Sequence, residues 1–301
     1  MNSQTSKTSI VIPVEPAAEQ AIESRMRIEI RDIGIPPRPT ILQQIDAETA
    51  RDEPDFIRLA KIINSDVALA AGLIKTANSP FFAFSKKART AQEALLILGL
   101  KFAVNTIASL ALQQLFKHSP SMERFWDASA TTARVAGWLA RQLKGRAGIR
   151  PEDAYTFALF RDCGVPILMI PFPEYRAVLA EANAERTAAF TDIENQQLGI
   201  NHAKLGADLA ENWMLPDDLC AAIRYHHDLD VIRAHDGKLS ECSRTLIAFA
   251  QLAEYLIQLQ TGRMQSHEWE KLGPTALNIL DFDPSELEVL AAEAQEVISD
   301  A

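Results

Sequence analysis

Asp162, His202 and the neighbouring pair His226-His227 are a carboxylate and imidazoles, side-chain types that can hold a cation or move a proton, and nothing in their spacing selects them from the other acids and histidines of the sequence. Neutral imidazoles and carboxylates ligate divalent metals, and a metal held this way lowers the pKa of bound water and neutralises charge on a phosphate. No short motif groups the four, so only a fold could bring them together. His226 and His227 are adjacent, and successive side chains on a helix diverge by about 100°. They are therefore not expected to face one ion together. His202 follows Asn201 at a helix start, and a capping or packing histidine is its plainer reading. Arg161 sits directly before Asp162. A guanidinium stays protonated, grips carboxylates in bidentate fashion and repels a divalent cation. Either Arg161 pairs with Asp162, standing in electrostatically for a metal, or it points to solvent.

The cysteines exclude other chemistry. Cys163, Cys220 and Cys242 form no close pair, so neither a disulfide framework nor a CxxC zinc or redox site fits. Free thiols suit a reducing cytosol.

The elements that must position these residues read as helices almost throughout, which gives an all-α fold class, a multi-helix bundle. Glycine is scarce, 12 of 301 residues, and Pro and Gly fall mostly between apolar stretches of helical period. After a loose tail, Ile22, Met26, Ile30 and Ile33 predict an amphipathic helix over 17–32. Pro36, Pro37 and Pro39 then force an extended segment. Short helices follow, starting near Thr40, Pro54 and Asp66, the last ending at Asn78-Ser79, whose side chains suit a helix end. Thr90 with Glu93 makes a capping box closed by Gly99, and Thr191 with Glu194 a second one before Gly199. A mostly apolar helix spans 101–116, and a long one opens at Ser119-Pro120 and carries Trp126 and Trp138. Trp126, Trp138 and Trp213 are expected in the core between two helical halves. A polar loop is expected at 228–238, a long helix at 240–260 and a last helix from Asp283.

Composition bounds the partners. Asp and Glu outnumber Lys and Arg 40 to 30, a formal charge of −10. Such a surface repels phosphate backbones, so nucleic acid is not the expected main partner. The longest charge-free run, 102–116, is too short to cross a bilayer, and no membrane association is expected. The expected compartment is the cytoplasm.

Several segments, in a consistent order, carry a family resemblance: IPPRPTILQQI (35–45), LAKIINSDVALAAGLIKTANSPFF (59–82), TAQEALLILGLKFAVNTI (90–107), FWDAS (125–129), FALFRDCG (157–164), GINHAKLGADLAENWMLP (199–216) and AAIRYHHD (221–228). Together they resemble the HDOD family, the HD-related output domain of bacterial signalling proteins, with Pro36, Pro37, Asn78 and Ser79 in its recurrent motifs. The resemblance implies an all-α bundle related to HD-domain phosphohydrolases, with an N-terminal set of short helices. It implies a division into a tail and amphipathic helix (1–34), an N-terminal HDOD half (35–117), a degenerate HD-like half (118–233) and a C-terminal helical extension (234–301).

It also implies a worn metal site. Ala128 stands where the first histidine ligand is expected, Arg161 replaces the histidine of the His-Asp pair, and Val165 replaces a lysine. The remnant pocket is Arg161, Asp162, His202, His226 and His227. The expectation is no metal, no cofactor and no catalysis, in a regulatory module that contacts protein partners, with a homodimer left open. The alternatives are a cyclic-dinucleotide sensor using Arg161 and a residual metal-dependent phosphohydrolase.

Overall fold

A computed structural model describes residues 36–79, 87–116, 120–143, 148–234, 236–262 and 266–299. The expected helix at 17–32 lies outside them. The described residues form helices and short turns with no strand among them, and Ile35–Ala301 is one compact unit. None of these helices is long and apolar enough to cross a membrane.

The first half is built from α1 (Thr40–Thr49), α2 (Phe56–Asn64), α3 (Val67–Ala77), α4 (Ala91–Leu98) and α5 (Leu100–Leu115). Its boundaries follow from capping. The Asp55 and Asp66 carboxylates accept the first-turn N–H groups of α2 and α3, and the Thr90 hydroxyl accepts the Glu93 N–H. Glu93 itself takes the Arg89 N–H at 2.7 Å. Gly99, at φ +74°, lets the chain turn between α4 and α5 without a strained Cβ. The amide of Asn78 forms two hydrogen bonds with the Ala88 backbone, at 2.8 and 2.7 Å, and so ties the end of α3 to the start of α4. Pro36 accepts the indole N–H of Trp213 at 3.0 Å, which fastens the proline segment to the second half, while Pro37 is exposed.

The second half and the C-terminal region comprise α6 (Pro120–Gln142), α7 (Pro151–Phe160), α8 (Gly164–Leu168), α9 (Tyr175–Ala184), α10 (Phe190–Leu198), α11 (His202–Asn212), α12 (Asp217–Tyr225), α13 (Leu229–Arg233), α14 (Glu241–Thr261), α15 (Glu268–Ile279) and α16 (Leu287–Ser299), the last preceded by the 3-10 turn Pro284–Glu286. Helix α14 packs on α6, α7, α12, α15 and α16, and its side chains from Ser243 to Ala253 are all buried. The C-terminal helices therefore complete the core. Trp126 and Trp213 are buried as expected, while Trp138 is half-buried.

Three local expectations are corrected. Thr191 and Glu194 do not form a capping box: α10 begins at Phe190 without a side-chain cap, and Glu194 is fully buried with its carboxylate on His202 and Tyr175. The expected loop at 228–238 contains α13, capped by Asp228. Helix α15 lies where the sequence pattern assigned none, because Gly273-Pro274 reads as a breaker. Gly273 is required there by packing, since a Cβ would come within 2.7 Å of the Trp269 ring.

A close backbone approach sets the functional region. A Cβ on Gly164 would lie 2.1 Å from the His202 carbonyl oxygen and 2.8 Å from the Gly206 nitrogen. Only glycine lets α8 meet the start of α11, and this contact brings the segment 161–163 against His202. Gly164→Ala is expected to destabilise the chain by at least about 3 kcal/mol, because the obstacle is backbone and cannot rotate away. The midpoint of urea unfolding would measure it.

Candidate functional site

The turn after α7 presents Arg161 and Asp162 to a centre built from five other helices. His202 is the first residue of α11, whose N-terminus is capped by the Asn201 side chain. His226 and His227 follow the last turn of α12, where the helix gives way to a turn. Glu194 comes from α10, Glu254 from α14 and Glu268 from α15. One ligand atom from each of Asp162, His202, His226 and His227 lies within 4.8 Å of the others.

The adjacency of His226 and His227 does not separate them. Their ring centroids are 4.1 Å apart, and both rings lie within 5.3 Å of the His202 ring. The expectation of divergence does not hold: His226 keeps a right-handed helical backbone, φ −66° and ψ −13°, and the two rings still lean onto one centre from the turn that ends α12. Ala128 does not join the cluster. It is half-buried on α6, and Phe125, one turn earlier, is the α6 residue that lines the cavity beside the site.

Each imidazole is anchored through Nδ1. His202 Nδ1 donates to Glu194 at 2.8 Å, His226 Nδ1 to the Ile223 carbonyl at 2.7 Å, and His227 Nδ1 to Glu268 at 2.6 Å. These partners fix the ring orientations and leave each Nε2 free for another contact. Around Asp162 Oδ1, His226 Nε2 is at 3.4 Å and His202 Nε2 at 3.5 Å, and the two Nε2 atoms are 3.3 Å apart. Phe190 stacks on His227 at 4.8 Å and meets His202 edge-on.

Arg161 is buried and makes the ion pair, with Nη2 2.7 Å from Asp162 Oδ2 and 2.5 Å from Glu254 Oε1. Burial opposes its charge, but Asp162 and then Glu254 more than offset this and raise its pKa. Burial likewise pushes the Asp162 carboxyl up, and Arg161, His202 and His226 outweigh it and hold it well below the usual carboxylate range. Burial works against a charged His202, yet Glu194 and Asp162 lift its pKa to about 10. His226 is pushed down to about 3 by burial and by His227. His202 is thus an imidazolium at neutral pH and His226 a neutral imidazole. Glu194 answers the His202 charge while accepting the His202 backbone N–H and the Tyr175 hydroxyl.

The cavity beside this centre has a volume of about 170 Å³ and is lined by Phe125, Arg161, Asp162, Phe190, Glu254 and Glu268, among others. Its acidic residues and paired cation favour a small cation over a polyanion.

Residues 35–229 match the model of the HDOD domain. The chain belongs to the HDOD family. An uncharacterized protein of Treponema pallidum (strain Nichols) is 28% identical over 196 residues, which span 65% of this chain and 38% of that protein. Among solved structures, an HDOD domain protein of unknown function from Geobacter sulfurreducens matches with a TM-score of 0.65 and 22% identity, over 93% of this chain and 96% of its own. A Marinobacter aquaeolei VT8 protein provisionally assigned to signal transduction matches with a TM-score of 0.66 and 22% identity, over 94% of this chain and 64% of its own. A Shewanella amazonensis SB2B protein provisionally assigned as a phosphohydrolase matches with a TM-score of 0.63 and 17% identity, over 90% and 96%. At these identities the structures establish the shared fold. Their coverage extends past residue 229, so the C-terminal helices of this HDOD chain have counterparts in them.

The sequence reading missed Glu194, Glu254, Glu268 and Tyr175 as parts of the site. Glu194 stands eight residues before His202, and a buried acid near a histidine was the available signal. Glu254 had a signal as well: it is an acid within a strongly apolar helix. Glu268 had none, because α15 itself was not predicted.

Removing the guanidinium leaves two acids facing each other across a buried space. Arg161→Ala is expected to cost about 3 kcal/mol, the low end for a broken buried pair because the carboxylates keep partial solvent access; Arg161→Lys is expected to recover only part of it. Urea unfolding of the three proteins would check the order. The Glu268 carboxyl is pushed up by burial but brought down to about 2 by His227 and Lys271. Its contribution is present above its unfolded pKa of about 4.3 and is lost as pH falls through 2. The stability gap between wild type and Glu268→Gln, measured by urea unfolding of the metal-free proteins, is therefore expected to narrow steadily below pH 4.

Proposed function

We propose that this HDOD chain is a non-catalytic signal-transduction module that acts in the cytoplasm through contacts with other proteins. The observation carrying this reading is the Arg161 guanidinium on Asp162 and Glu254, at 2.7 and 2.5 Å. Metal-assisted phosphoester hydrolysis needs carboxylates free to hold cations and an open position for water and substrate. Here a fixed organic cation already engages both carboxylates at the mouth of the centre. Ala128, at the position where the family resemblance expects a histidine, offers no ligand.

The size of the cavity supports the same reading. A volume of about 170 Å³ is below the ~300–1,000 Å³ range of small-molecule sites, and its acidic lining does not suit a cyclic dinucleotide. Contact with proteins draws support from an apolar groove lined by Leu115, Phe116, Met122, Met169, Ile170 and Phe172, in which Ile170 is 70% exposed. The short helix α8 runs from the Asp162 turn to Met169 and Ile170, so the centre and the groove share one rigid element.

A metal-dependent phosphohydrolase is the competing reading, favoured by the convergence of Asp162 with three histidines. Incubation with bis(p-nitrophenyl) phosphate and Mn²⁺ separates the two. The expected release of nitrophenol equals that of Mn²⁺ in buffer. Release above that level which disappears in Asp162→Asn would overturn the non-catalytic reading.

A further inference from the structure

We infer that the cavity between the first turns of α5 and α7 binds one small α-amino acid as its zwitterion, a ligand that would clamp the two helical halves together. The cavity has a volume of about 190 Å³, room for a molecule of a few non-hydrogen atoms and too little for a nucleotide. Residues 98–102 and Asn105 line it from the first half, and Arg150, Glu152 and Asp153 from the second. It shares no lining residue with the cavity beside Asp162.

An unsatisfied amide marks the binding position. Asn105 is only 9% exposed, yet its side chain has no hydrogen-bond partner among the described residues. It lines the cavity one helical turn on from Lys101, on the same face of α5. Buried amides left unpaired are rare and costly, so a polar partner is expected at this point. Beside it the start of α5 is open. Its N-cap is Gly99, which has no side chain to take the first-turn N–H groups, and those of Leu100 and Lys101 have no acceptor among the described residues. A Cβ on Gly99 would meet nothing within 4 Å, so the space beside the cap is clear. Free N–H groups, the positive end of a 16-residue helix and the exposed Lys101 ammonium suit a carboxylate.

The opposite wall selects a zwitterion over a plain anion. Lys101 and Arg150 are balanced by Glu152 and Asp153, so the lining carries no net formal charge. Arg150 holds Asp153 through two bonds of 2.8 Å, and Lys101 stands 3.9 Å from the same carboxylate. The Glu152 carboxylate has no ion pair or hydrogen bond among the described residues. A phosphate dianion would face that free acid, whereas an ammonium group would neutralise it. Asn105 carries both donors and an acceptor, so it can serve either end of the ligand. Leu98, Leu100 and Phe102 supply an apolar wall for a short aliphatic side chain. Helix α7 runs from this cavity to Arg161, so the occupant would abut the element that leads into the charged centre.

The test is calorimetric titration of the full chain with L-alanine, L-valine and L-threonine, each carried to about 10 mM. At least one is expected to bind at one equivalent per chain and to raise Tm, because a ligand of the folded state stabilises it. The N-acetyl derivative and the amide of that amino acid each lack one of its two charges, and each is expected to bind at least about 10-fold more weakly. Asn105→Leu and Glu152→Gln are each expected to weaken binding by about 10-fold or more. Glu152→Gln alters a partly exposed side chain without changing its shape, so it keeps the test decisive should Asn105→Leu fail to fold. The proposal is overturned by no saturable binding of any of the three, by tighter binding of inorganic phosphate, by equal binding of the two derivatives, or by an affinity unchanged in either folded variant.

Discussion

The constraint on which the rest of this structure depends is the charge on Asp162. A half-buried carboxylate is costly unless cations and donors surround it. Arg161 takes one oxygen, and His202 and His226 approach the other. The positive partners then need their own acids: Glu254 for Arg161 and Glu194 for His202. The chain of compensation ties α7, α10, α11 and α14 into one arrangement, and His227 with Glu268 and Lys271 extends it to α15. Loss of any one member leaves another buried charge uncompensated, so the network acts as a unit.

This arrangement stands on a scaffold shared with a protein provisionally assigned as a phosphohydrolase. An arginine in the turn after α7 supplies a permanent cation on a covalent tether, and it needs no metal supply. It neutralises Asp162 and holds α14 against the core. The histidines stay close enough to cooperate, but the acids that could recruit further ions are engaged. The glycine contact between α8 and α11 fixes how near the two sides of the centre come, and α8 carries that position out to the groove at Met169 and Ile170.

Local structure was legible wherever the deciding chemistry was local. The caps at Asp66, Thr90, Asn201 and Ser240 act within one turn of the chain, and so does the break at Gly99, which takes a positive φ. Glu194 shows where that logic fails. Thr191-x-x-Glu194 has the spacing of a capping box, yet a buried imidazolium eight residues away offers the carboxylate a stronger, charge-assisted bond than a solvent-exposed backbone N–H can. Gly273-Pro274 misleads in the opposite direction. Pro274 nevertheless sits inside α15, and beside it Gly273 lies against Trp269, which in turn stacks on Tyr255.

The sequence by itself determined the all-helical class, most helix boundaries and the HDOD membership, because each rests on periodicity, capping or an ordered set of motifs. It also supplied Arg161, Asp162 and the three histidines as candidates. Tertiary structure alone decided that His226 and His227 share one centre, that Ala128 stays out of it, and that Glu194, Glu254 and Glu268 complete it. The physical reason is that helix-forming tendencies act between residues a few positions apart, whereas a buried charge selects its counter-charge by distance in space. Arg161 and Glu254 are 93 positions apart along the chain and 2.5 Å apart in the fold.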